Sequence, residues 1–291
     1  MITLHDGEGG LPFISIQNGA ARSKICLLGA TVLEYQPARA QPVLWTSPNS
    51  HFEEGKAIRG GIPVCWPWFG QHPTDASLPS HGFVRTMLWE VSRVEELSPE
   101  QSLVELSCRE NAETKKLWPH TFILKLRVRV GKELRLELEM TNRGSQKFGF
   151  SAALHTYFAI SDIANIRIDG LEDTPFLSKV HNFARFVESG PLHIDQQVDR
   201  VYLDTPATCT IHDTGEGSSK RSRRLVVEKE GSRTTVVWNP WARLSAEMAD
   251  LGPEAYRKYV CVETVVGPQE EMTLAAGATH MLTQQIRVEE Q

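Results

Sequence analysis

The chain has 291 residues, 41% of them hydrophobic, enough to bury a large core and to form one large all-β domain over 1–291. A formal net charge of −5 gives no basic footprint for nucleic acid or an anionic membrane, so neither is expected as a partner, and an anionic small molecule would need a local cluster of Arg or Lys. No uninterrupted apolar stretch reaches the roughly 18 residues that span a bilayer.

The first seven residues, M-I-T-L-H-D-G, carry neither a basic leader nor an apolar signal segment, and the default expectation is the cytoplasm. Short apolar and β-branched runs at 13–17 and 23–28 read as early strands. Cys26, Cys65, Cys108, Cys209 and Cys261 are odd in number, form no C-x-x-C pair and sit mostly among apolar neighbours, so they read as reduced and structural.

Segment 58–70, I-R-G-G-I-P-V-C-W-P-W-F-G, is the most unusual stretch. Its prolines remove ladder donors and its glycines add freedom, which argues against a regular central strand and for a rigid loop walled by Trp66, Trp68 and Phe69. Aromatic faces stack on the C–H faces of sugars, and Arg59 beside them offers an anion a planar, charge-assisted fork. The plain alternative makes the aromatics core residues and Arg59 a surface charge. A second loop at 80–85, S-H-G-F-V-R, follows the 73–79 region and again sets a titratable ring, His81, and an arginine, Arg85, beside a glycine. A phosphate monoester carries a charge of roughly −1.5 to −2 at neutral pH. Two guanidiniums supply the local neutralisation that the acidic chain otherwise lacks.

Strands follow at 88–94 and 103–108, and charged helix formers at 110–116 predict a helical turn or two. The clearest periodicity comes next: apolar and basic residues alternate from Leu124 to Val130, and after Gly131 and Lys132 the alternation resumes from Leu134 to Met140, a hairpin with one wet face. The run 148–157 reads as a strand in which His155 interrupts small apolar residues. An imidazole with an unperturbed pKa of roughly 6.5 suits proton transfer near neutrality, although a buried histidine bonded to a carbonyl satisfies the same pattern. Asp199 stands just before an expected strand, after a loop holding His193 and Asp195, and by itself reads as a solvated turn acid. Strands at 208–212 and 225–229 flank 213–224, whose Gly, Ser and Arg content predicts an exposed connection with solvated basic residues.

A strand at 234–238 and a short helical piece at 254–258 lead to 259–265, where Glu263 stands in a β-branched run. An unpaired buried charge costs several kcal/mol, so function is the better reading of this carboxylate. Partial desolvation would raise its pKa from roughly 4.3 toward the range of a useful general base. A last strand at 280–288 ends the pattern. Short strands without interleaved helices, and without a repeat of fixed period, predict an all-β fold of packed antiparallel sheets with few short helices.

On these segments, together with L-H-T-Y-F at 154–158, D-R-V-Y at 199–202 and V-C-V-E-T at 260–264, nearly the whole chain resembles the glucose-6-phosphate 1-epimerase (hexose-6-phosphate mutarotase) branch of the aldose 1-epimerase superfamily. The resemblance implies a galactose mutarotase-like fold, a large twisted antiparallel β-sandwich with an open sugar cleft, and no metal or organic cofactor. It implies His155 as catalytic acid, Glu263 as catalytic base, and Arg59 and Arg85 as the arginines associated with phosphate. His81 matches a histidine near the ring oxygen and Asp199 an acid that hydrogen-bonds sugar hydroxyls. Ser80 is a departure, since some relatives carry Gln at this substrate-contacting position.

The expected ligand is a small-molecule sugar phosphate, and the expected state a monomer. The expected reaction is anomer interconversion by ring opening, with a nearby carboxylate keeping His155 protonated and the apolar strand keeping Glu263 basic, giving a bell-shaped pH dependence. No H-E-x-x-H, H-x-H or G-x-S-x-G pattern supports a metallohydrolase or a serine hydrolase. Two rivals remain: a non-catalytic carbohydrate-binding or sugar-sensing module, and an epimerase for unphosphorylated aldoses, which the paired arginines disfavour.

Overall fold

A computed structural model describes residues 1–215, 222–267 and 272–290. Two eight-stranded antiparallel sheets dominate. The first runs, in spatial order, Ile166–Asp169, Cys209–Asp213, Arg223–Glu230, Thr279–Glu290, Leu134–Asn142, Phe122–Val130, Gln101–Arg109 and Glu90–Ser98. The second runs Ala184–Phe186, Phe176–Ser178, Val198–Tyr202, Thr234–Asn239, Tyr259–Val266, Ala152–Leu154 and Val64–Cys65, with Tyr157–Ala159 also paired to Tyr259–Val266. A four-stranded N-terminal sheet and the small pair Phe148–Phe150 with Met272–Leu274 complete the strands.

The period-two pattern decides which face goes inside. In the central hairpin Leu124, Leu126, Val128, Leu136, Leu138 and Met140 are fully buried, each contributing about 1.5–3 kcal/mol by leaving water. The charged residues between them face out, where Arg127 reaches Glu105 at 2.7 Å and Glu139 at 3.0 Å. The second sheet sends Ala152, Leu154, Val237, Val260, Val262 and Val266 into the same core. The result is the antiparallel β-sandwich that the family resemblance implies.

One polar point interrupts this core. Thr156 Oγ1 donates to Gln284 Oε1 at 2.5 Å, and Gln284 Nε2 donates to Thr264 Oγ1 at 2.9 Å, all three residues being buried. The bond network satisfies polar groups that would otherwise be costly to bury.

Several expectations need correction. The run 148–157 is not one strand but parts of three short ones, Phe148–Phe150 paired to Met272–Leu274, and Ala152–Leu154 and Tyr157–Ala159 both paired to Tyr259–Val266, with the His155 amide turned to the Pro63 carbonyl between them. Strands at Ile2–Asp6, Thr31–Pro37, Ile166–Asp169 and Phe176–Ser178, and a helix at Trp241–Glu247, lack a clean local signal. In 213–224, Asp213 and Arg223 are buried, not solvated, and form an ion pair at 3.6 Å. Residues 216–221 of that segment lie outside the described residues. The helical pieces appear as Ala112–Leu117 and a 3-10 turn at Ala255–Arg257. All five cysteines are buried and free, and no helix among the described residues is long and apolar enough to cross a membrane.

Candidate active site

Glu263 owes its position to the alternation of Tyr259–Val266. Val260, Val262 and Val266 point into the sandwich, so Cys261, Glu263 and Val265 emerge on the opposite face of the sheet. Pairing of Leu154 with Thr264 and of Tyr157 with Cys261 leaves His155 and Thr156 alongside Glu263 and Val262. Thr156 turns inward to Gln284, and His155 turns outward to the face carrying Glu263. The His155 amide donates to the Pro63 carbonyl at 3.0 Å. Its Nε2 stands 3.4 Å from Glu263 Oε1, with the two residues only 8% and 2% exposed.

Aromatic rings fix the imidazole. Tyr157 lies parallel to it at 4.9 Å between centroids, and Trp238 meets it edge-on at 6.0 Å. Of the three aromatics in segment 58–70, Phe69 alone lines the cleft; Trp66 packs against Trp118, Phe122 and Phe83 in the core, and Trp68 is likewise buried. The expected aromatic wall is therefore corrected: Phe69 forms part of it and Trp238, on Thr234–Asn239, forms the rest.

The loop 80–85 is held against segment 66–70. Gly82, at φ 71°, crosses Trp66 so closely that a Cβ would lie 1.9 Å from the Trp66 carbonyl oxygen, which leaves room for glycine alone. His81 exchanges bonds with Gly70, its amide donating to the Gly70 carbonyl at 2.7 Å and its Nδ1 accepting from the Gly70 amide at 3.2 Å. An accepting Nδ1 assigns the ring proton of a neutral imidazole to Nε2, making His81 a donor. Arg85 Nη2 donates to the Ser80 carbonyl at 2.7 Å. Arg59 donates through Nε to Asp250 at 2.8 Å and through Nη1 to the Tyr157 hydroxyl at 3.1 Å.

The cleft brings together all seven polar residues expected at the site: Arg59, Ser80, His81, Arg85, His155, Asp199 and Glu263. Its volume, about 370 Å³, falls within the range of small-molecule sites, roughly 300–1,000 Å³. Asp199 is corrected from a solvated turn acid to a member of strand Val198–Tyr202, paired with Lys179 at 3.3 Å. Burial raises its pKa, and Lys179 opposes the rise. Lys179 itself, which also sits 5.1 Å over the Phe69 ring, escapes sequence reasoning because nothing in its neighbourhood separates it from a surface lysine. Tyr157 and Asp250 escape as well, since their contacts with Arg59 cross 98 and 191 positions of chain.

Electrostatics alters the expected charge state of the pair. Burial, reinforced by His81, Arg59 and Arg85, pushes the His155 pKa well below 6.5. Burial pushes Glu263 well above 4.5, with Lys179 opposing and Asp199 adding to the shift. Both shifts run toward a neutral imidazole beside a protonated carboxyl and away from the expected imidazolium beside a carboxylate. His155 Nδ1 and Glu263 Oε2 are buried and accept or donate no hydrogen bond among the described residues. His155, Cys261 and Glu263 place one donor atom each within 4.8 Å of one another, a grouping compact enough for a metal ion. A cation there would need a thiolate and a carboxylate, whereas burial drives both groups toward their protonated forms, and Arg59, Arg85 and Lys179 line the same cleft. The grouping fits proton transfer better than metal binding.

Comparison with known proteins agrees with this geometry. The family model described as aldose 1-epimerase matches residues 12–287. A relative in Escherichia coli (strain K12), provisionally named a glucose-6-phosphate 1-epimerase, is 36% identical over 279 residues, 96% of this chain and 90% of its own. A crystal structure from Salmonella typhimurium, provisionally titled a mutarotase, superposes with a TM-score of 0.91 at 33% identity, covering 100% of this chain and 94% of that one. A galactose mutarotase-like protein from Clostridium acetobutylicum shares the fold, with a TM-score of 0.75 at 18% identity, covering 100% of this chain and 99% of its own.

Proposed function

The chain belongs to the aldose 1-epimerase family, and we propose that it interconverts the α and β anomers of glucose 6-phosphate or a related hexose 6-phosphate at the cleft between Arg59 and Glu263. The observation that carries the reading is the 3.4 Å approach of His155 Nε2 to Glu263 Oε1 in a cleft that also holds two arginines. We read residues 1–291 as one domain, since a continuous core runs from Ile14 to Ile286 and the site draws on segments spread from Arg59 to Glu263.

In ring opening, Glu263 takes the proton of the C1 hydroxyl as C1=O forms. The C1–O5 bond breaks, its electron pair goes to O5, and O5 takes the proton of His155. The open-chain aldehyde rotates about C1–C2, and reclosure with the two roles exchanged gives the other anomer. Opening thus begins with a charged pair and ends with a neutral one, the state that burial favours in the free protein. Positioned proton transfers of this kind are worth roughly 10²–10⁴-fold in rate. Arg59 and Arg85 take the phosphoryl group, His81 donates toward the sugar, and Asp199 and Lys179 meet hydroxyls, while Ser80 contributes its carbonyl to Arg85. A sugar-binding module would gain nothing from a carboxyl buried at such cost beside an imidazole.

The test is an anomerisation assay on freshly dissolved α-glucose 6-phosphate, with glucose and galactose in parallel. His155→Ala and Glu263→Gln are expected to lose about 10²-fold or more of the acceleration, and Arg59→Ala to lose preference for the phosphorylated sugar. Wild-type rates in both variants would refute the assignment.

A further inference from the structure

The Arg59 guanidinium is joined to the His155 ring through a single residue. Its Nη1 donates to the Tyr157 hydroxyl at 3.1 Å, and the Tyr157 ring lies on the imidazole with 13° between the planes. Arg85 approaches from the other loop, whose His81 ring stands 5.6 Å from that of His155. The charged and titratable groups facing the pair are Arg59 and Cys65 from segment 58–70, His81 and Arg85 from 80–85, Tyr157, Lys179, Asp199, and Cys261 on the strand of Glu263. Arg59, Arg85 and Lys179 are the cations; Asp199 sits on Lys179 and Asp250 on Arg59, while Arg85 bonds only a carbonyl among the described residues. This array opposes an imidazolium, and a phosphoryl dianion would cover it.

We propose that the phosphoryl dianion activates the His155–Glu263 pair as well as anchoring the sugar, so that a free dianion in the cleft switches on turnover of an unphosphorylated aldohexose. The inference rests on the ring-opening reading above. Opening requires the proton on His155, whereas in the free protein burial disfavours both charged forms and Arg59 and Arg85 further oppose a proton on the imidazole. Two negative charges on Arg59 and Arg85 remove that opposition and let the Glu263 proton cross the 3.4 Å to Nε2. An uncharged sugar brings no such charge and meets the pair with its proton on the wrong partner. Phosphate preference then shows in kcat as well as in KM, because the dianion alters the reacting groups and not only the affinity.

The experiment follows freshly dissolved α-glucose by polarimetry with wild-type protein while inorganic phosphite is raised, subtracting the protein-free rate at each concentration. Glucose 6-phosphate is measured in parallel. Phosphite is expected to raise the glucose rate saturably, by about tenfold, the equivalent of one pKa unit in proton affinity. Arg59→Ala is expected to abolish the activation. Tyr157→Phe keeps the stacked ring and removes the hydroxyl; it is expected to cut the activation several-fold while phosphite still competes with glucose 6-phosphate as it does in wild type. A glucose rate that stays flat at phosphite concentrations that half-inhibit glucose 6-phosphate turnover overturns the inference and leaves ring opening standing. Phosphite that neither inhibits nor activates also overturns it, because the arginines then form no dianion site. If glucose 6-phosphate itself is not accelerated, the ring-opening reading fails and the inference fails with it.

Discussion

At the scale of single residues, the role proposed for Glu263 and the stability of the fold pull apart. Its pKa is raised by burial, so above 4.5 the unfolded chain releases a proton that the folded chain retains. The unfolded state then binds fewer protons, and stability falls as pH rises from 4.5 toward the folded pKa. Glu263→Gln cannot ionise and escapes this loss. We expect it to unfold about 2 °C or more above wild type at pH 7, with the difference shrinking as pH approaches 4.5, even as its anomerase activity disappears. Thermal melts of the two proteins across that range decide the matter; a difference independent of pH would mean that Glu263 is ionised in the fold.

At the scale of elements, the pair proposed to react is set by a strand that stops. The break between Ala152–Leu154 and Tyr157–Ala159 lets His155 and Thr156 leave the regular ladder, and Gln284 then ties Thr156 and Thr264, one neighbour of each reacting residue, to the opposite sheet. Gln284→Met matches the volume without the hydrogen bonds. It is expected to cost about 1–3 kcal/mol in urea unfolding through two unsatisfied hydroxyls and to lower kcat about tenfold with little change in KM, since the substrate contacts remain. Normal kcat in a destabilised Gln284→Met protein would limit the network to a structural role. The 58–70 segment shows the opposite relation of element to signal: its glycines and prolines mark an irregular segment in the sequence, yet they do not say that Phe69 faces the cleft while Trp66 and Trp68 face the core.

At the scale of the whole molecule, Arg223 and Asp213 join distant parts of the chain. Arg223 donates to the carbonyls of Pro42 at 2.8 Å and Ala159 at 2.6 Å, and Asp213 accepts from the Ser161 amide at 3.0 Å. Both side chains are almost fully buried. Removing one partner strands the other charge, so Arg223→Met should cost about 3–5 kcal/mol, read by chemical denaturation, while folded variant protein retains turnover because the pair lies outside the cleft. A loss under about 1 kcal/mol would place the interaction among ordinary surface ion pairs.

The sequence by itself determined the all-β class and the faces of the long strands and marked Glu263 and Arg59 as candidates, because alternation fixes inside from outside locally and because a Glu among β-branched residues or Arg beside Gly is conspicuous without any neighbour. Only the tertiary structure decided that Lys179 and Trp238 line the cleft, that Tyr157 and Asp250 hold Arg59, that Arg223 is buried, and that burial shifts His155 and Glu263 toward their neutral forms. Each of these depends on groups more than ten residues apart meeting in a medium that excludes water, and neither the meeting nor the exclusion is written in any local stretch of chain.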